Sequence, residues 1–67
     1  MRTTLKKLMP GNVFIHIHHL PKFKFGSLNK SDYLFFLGEK NNVYYAYKFS
    51  NQIVFYTYKT TNVIKIC

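Results

Sequence analysis

The sequence predicts an all-β fold of five short strands, and three observations predict it. Apolar residues fall in short alternating or continuous blocks instead of recurring at helical spacing. Gly, Pro, Asn or Ser punctuates the intervals between the blocks. The blocks are also rich in aromatic side chains, with 6 Tyr and 7 Phe among 67 residues, types that suit a pleated, half-buried surface.

The elements follow in chain order. Residues 1–9 supply one helical turn at most, which Thr4 can cap and on which Leu5 and Leu8 make one apolar edge. They lack the apolar h-region of a secretory signal, and no apolar run of about eighteen residues predicts a membrane span. Pro10-Gly11 turns the chain. Residues 13–18 alternate, with Val13, Ile15 and Ile17 opposite Phe14, His16 and His18, and form the first strand. Residues 19–31 hold Pro21, Gly26, Ser27 and Asn29 and make a long loop containing Lys22-Phe23-Lys24-Phe25. Residues 33–37 are the second strand, and 38–42 read by composition as a hairpin loop. The third strand is 43–49, the fourth 53–58 and the fifth 63–66. Ser50-Asn51-Gln52 permits a two- or three-residue connection, a choice that swaps which faces pair.

Five strands with one long first loop match a small SH3-like barrel, residues 1–67 forming one domain. An OB-fold is the nearest rival, but it ordinarily needs a longer chain and a helix before its fourth strand. The single Cys rules out an intramolecular disulfide framework. In a chain this small, apolar burial and the entropy of ordering nearly cancel, so a monomer is marginal. Strands two to four are apolar on both faces. Val43, Tyr45, Tyr47 and Phe49 stand opposite Tyr44, Ala46 and Lys48, and Ile53 and Phe55 stand opposite Val54, Tyr56 and Tyr58. A one-layer barrel has a wet outer face, so the second apolar face predicts self-association. The competing explanation is that tyrosines suit strands and tolerate water.

Catalytic and metal chemistry find little support. His16 and His18 share a strand face at a spacing that can grip a metal, but the set is incomplete. The acids Asp32 and Glu39 fall near loops and Cys67 is distant in sequence, so surface histidines and no metal or cofactor are expected. The lone Cys lacks an electropositive pocket, the two carboxylates make no acid/base pair, and the three glycines form no phosphate loop. The expectation is a protein without enzymatic activity.

Charge is the stronger signal. Ten Lys+Arg against two acids give a net charge of +8, and lysines interleave with aromatics at Lys22-Phe23-Lys24-Phe25, Tyr47-Lys48-Phe49 and Tyr58-Lys59. Cations beside flat rings neutralise phosphates while bases stack, as in single-strand binders. Lys22, Lys24, Lys40, Lys48 and Lys59 are therefore the phosphate-binding candidates, and Tyr44, Tyr56 and Tyr58 the stacking candidates. An A/T-rich genome offers the competing account, since Lys, Asn, Ile, Phe and Tyr make up 33 of the 67 residues. Asp and Glu codons, for their part, are not especially G/C-rich. Lys48 and Lys65 also interrupt strands, where edge lysines block further strand addition.

The stretch Leu5-Lys6-Lys7-Leu8-Met9-Pro10-Gly11-Asn12-Val13-Phe14, followed by short aromatic strands, resembles the small SH3-like barrel accessory proteins of tailed bacteriophages. These often open on Leu-x-x-Leu-x-x-Gly-Asp-Val-Phe, and Asn12 stands here in place of the acid. Peptide-binding SH3 domains differ, because their acidic long loop and Ala-Leu-Tyr-Asp-Tyr stretch are absent. The resemblance implies a stoichiometric binder in the host cytoplasm that sequesters a nucleotide defence signal or neutralises a host enzyme. With the charge, it points to an anionic ligand: a cyclic nucleotide, an oligonucleotide or nucleic acid. The alternatives are an inhibitor that docks its aromatic face on a host enzyme, with lysines steering it to an acidic patch, and a minor virion component.

Overall fold

The computed structural model describes residues 1–57 and 61–67. Six strands form one antiparallel sheet: β1 (Arg2–Thr4), β2 (Val13–His16), β3 (Leu34–Lys40), β4 (Val43–Lys48), β5 (Gln52–Tyr56) and β6 (Asn62–Lys65). Their order across the sheet is β1-β6-β2-β3-β4-β5. The all-β class expected from the sequence holds. The barrel does not close, because β1 and β5 stand at opposite edges of the order instead of pairing.

The sheet nevertheless curls. Three strand spacings, roughly 14 Å in a flat sheet, separate β2 from β5, yet Tyr56 of β5 and His16 of β2 are hydrogen-bonded at 2.9 Å. One cause lies in β3, whose pairing with β4 shifts register between Phe36 and Gly38. Such a bulge bends its strand and increases the local twist. Gly38 takes φ 142°, a conformation that side chains rarely adopt. A Cβ there would meet only Pro10 Cγ, at 3.9 Å, so any cost of adding one lies in the backbone. Gly38→Ala is expected to lose about 1–3 kcal/mol of stability, read as a lower urea midpoint by circular dichroism. An unchanged midpoint would show that the bulge accepts an ordinary residue.

The concave face carries the core. Register places Phe14 beside Leu34, Phe36 beside Ala46, Ala46 beside Val54 and Tyr44 beside Tyr56. Leu5, on a 3-10 turn (Leu5–Lys7), and Leu8, the extended residue after it, complete the cluster with Val63. Thr4 precedes that turn but makes no side-chain cap. The two hairpins are set by asparagines. Asn41 and Asn42 both take positive φ (53° and 65°), the two-residue turn whose twist matches the strands. β3 therefore runs through Lys40, where composition had suggested a loop from residue 38. Three residues, 49–51, join β4 to β5. Asn51 at φ 67° supplies the left-handed position, and its N–H donates to the Lys48 carbonyl at 3.0 Å.

Three further readings change. The expected first strand ends at His16, and Ile17–His19 form a 3-10 turn. The expected long loop contains a helix, α1 (Leu20–Lys24), and a 3-10 turn (Lys30–Asp32). Pro21 lies in the first turn of α1, where its missing N–H costs nothing and its φ is already helical. β1 is an added sixth strand, bridged to β6 at Arg2–Ile64, Thr3–Val63 and Thr4–Asn62.

Candidate anion-binding site

At one end of the concave face, the 3-10 turn folds the chain back so that three imidazoles meet. Strand alternation no longer relates His16 to His18, but the turn stacks them with ring centroids 5.4 Å apart and planes at 17°. His19 meets His18 edge-on at 4.1 Å and His16 at 6.1 Å. Tyr56 reaches across the curled sheet and lies edge-on to His16 at 5.5 Å. Burial pushes the Tyr56 phenol up to about 12, so it stays protonated, and its hydroxyl shares a hydrogen bond with His16 Nε2 whose donor is set by the imidazole tautomer.

Positive charge surrounds these rings. His16 is held below its ordinary 6.5, first by burial, then by the neighbouring His18, His19 and Lys48, with Asp32 opposing. His19 is lowered by burial first, then by His18, Lys22 and Lys48, and Asp32 again opposes. The His19 Nδ1 atom is buried without a hydrogen-bond partner. Lys48 sits at the end of β4, with Leu34 on one side and Gln52 on the other. Lys22 is exposed on α1. No carboxylate besides Asp32 acts on His16 or His19.

The candidates named from the sequence separate accordingly. Tyr56 touches His16, while Lys48 is near enough to disfavour a proton on His16 and His19, and Lys22 on His19. Lys24 is exposed two residues further along α1, a step of about 200° that turns it to another side of the helix. Lys40 closes β3 at the hairpin end, roughly 20 Å along the strand from the Lys48 pairing. Tyr44 is a correction: it is 9% exposed and stacks on Phe36 at 6.3 Å inside the core, so it offers no face to a base. Tyr58 and Lys59 lie outside the described residues. The histidines, taken from the sequence as surface groups, form the centre of the patch. Only the Ile17–His19 turn, which alternation did not foresee, brings them together.

Among the described residues no group of three or more His, Cys, Asp or Glu side chains is arranged to hold a metal ion, and His16 Nε2 is already engaged by Tyr56. No described helix is long and apolar enough to cross a membrane. Comparison with known proteins finds no family model, no curated protein and no solved structure that matches the chain significantly.

Proposed function

We propose that this chain is a non-enzymatic binding protein that holds a phosphate-bearing ligand, a nucleotide or single-stranded nucleic acid, at the basic end of its concave face. The observation that carries the reading is the convergence of Lys22, Lys48, His16, His18 and His19, with Asp32 as the one opposing acid. Cationic neighbours disfavour a proton on His16 and His19 in the free protein, and a bound anion offsets that effect. The net charge of +8 adds long-range attraction for any polyanion. Tyr56 acts here by fixing the His16 ring, not by stacking. The resemblance to phage accessory proteins fits a stoichiometric role, with sequestration of the ligand as the effect.

A fluorescently labelled single-stranded oligonucleotide, followed by anisotropy, tests the reading. Binding is expected to weaken steeply with salt, with a log–log slope of about −0.7 per phosphate contacted. Lys48→Gln is expected to reduce affinity about equally across sequences and to remove about one contact from the slope. A small nucleotide would show itself as a rise in melting temperature without retention of the oligonucleotide. Absence of both effects, or affinity untouched by Lys48→Gln and Lys22→Gln together, would reject the site.

A further inference from the structure

The opposite face of the sheet is apolar and open. Register sets Val13, Phe35, Tyr47 and Ile53 in one row and Tyr45 beside Phe55 in the next. Exposure rises toward the β5 edge, from 37% at Phe35 and 36% at Tyr45 to 60% at Ile53 and 66% at Phe55. Leu37 is 43% exposed, and Phe49, edge-on to Tyr47 at 5.8 Å, is 37% exposed. At roughly 200 Å² for a side chain of this size, these six residues present on the order of 550 Å² of apolar surface. That lies at the upper end of what a monomer shows.

We infer that this face is covered by a second copy of the chain, packed sheet to sheet about a two-fold axis. Three observations choose that occupant. Two such faces hold at most roughly 1,100 Å² of exposed apolar surface between them, about the 1,000 Å² that a specific interface needs. The outer rows of β3, β4 and β5 carry a single charged residue, Lys40 at the hairpin end, paired with Val43, so two chains of charge +8 bring only that one lysine each to the contact. The face is also self-complementary. An open depression of about 390 Å³ is lined by Leu37, Gly38, Glu39, Lys40 and Tyr45, and Phe55 projects on the other side of Tyr45. A two-fold axis along β4 over Tyr45 sets each Phe55 above the other copy's depression, which is the reciprocal contact an isologous dimer requires.

Sedimentation velocity at 50 µM tests the inference. The wild-type chain is expected near 16 kDa, twice its 8.0 kDa. Phe55→Lys is expected to raise the dimer dissociation constant by roughly thirty-fold or more and to sediment as the monomer with its far-ultraviolet dichroism intact. Ile53→Ser supplies the same answer should Phe55→Lys fail to fold. A wild-type monomer at this concentration overturns the inference and leaves the face to a different protein. A dimer unmoved by both substitutions overturns it as well, by placing the interface elsewhere. Because the interface is apolar, dimerisation is expected to survive salt that abolishes oligonucleotide binding, so the two proposals fail independently.

Discussion

Truncating Phe14 to alanine is expected to leave most of the protein unfolded at 25 °C. The ring is fully buried, on a strand that pairs with β3 on one side and β6 on the other. It touches the one cluster in which Leu5, Leu34, Phe36 and Val63 meet. Removing a buried phenyl ring costs about 3–5 kcal/mol, the transfer term plus the cavity it leaves. A chain of 67 residues holds a total of only about 3–10 kcal/mol at ordinary values per residue. No disulfide shares the load, since Cys67 is free. Near-ultraviolet dichroism and urea unfolding read the result, with Phe25→Ala as the control because Phe25 is exposed. The variant should also recover structure at high protein concentration if the folded form dimerises, because association draws on the folded state alone. A wild-type urea midpoint for Phe14→Ala would mean that the cluster is not what holds the sheet.

The sequence made this core readable because strand faces obey a period of two. Tyr44 and Ala46 share one face of their strand in the sequence, and Val54 and Tyr56 one face of theirs. The three-residue turn at 49–51 then sets both pairs on the same side of the sheet, and the opposite rows emerge as an open face. What was unreadable is local geometry decided by distant partners. Arg2-Thr3-Thr4 has no apolar pattern and becomes a strand only because β6 offers it an edge. Pro21 looks like a loop residue until its place in a first helical turn is known. Polar Glu39 and Lys40 extend β3 because the paired asparagines behind them supply the turn. The site suffered most from this. Alternation kept Lys48 near the right face but mistook Tyr44 for a surface ring, and it could not foresee that three histidines would be folded onto one another by a single 3-10 turn.

Acidification is expected to weaken the fold and tighten the ligand at the same time. In the unfolded chain each histidine titrates near its ordinary 6.5, whereas burial and neighbouring cations hold His16 and His19 below that value in the folded chain. Above about pH 6.5 both states are neutral at these rings and pH makes no difference. As pH falls through that value the unfolded chain takes up protons that the folded one refuses, so stability declines until the pH passes the lowered folded values. Tm at pH 5.5 is therefore expected to lie below Tm at pH 7.5. A phosphate beside the rings acts in the opposite sense, because it favours the imidazolium form and raises both groups. Affinity should then rise through the same window, by at most about tenfold per pH unit for each histidine that gains a proton on binding. With His16 doubly protonated, Nε2 donates and the Tyr56 phenol accepts in the bond between them. Substituting His16→Gln should accordingly flatten both curves. Thermal melts without ligand follow the first trend and anisotropy titrations the second. Since the first needs no ligand, a Tm that rises on acidification would refute the buried-cation account of the cluster even if no oligonucleotide bound. A declining Tm with pH-independent affinity would leave the histidines as structural groups and move the phosphate to the lysines alone.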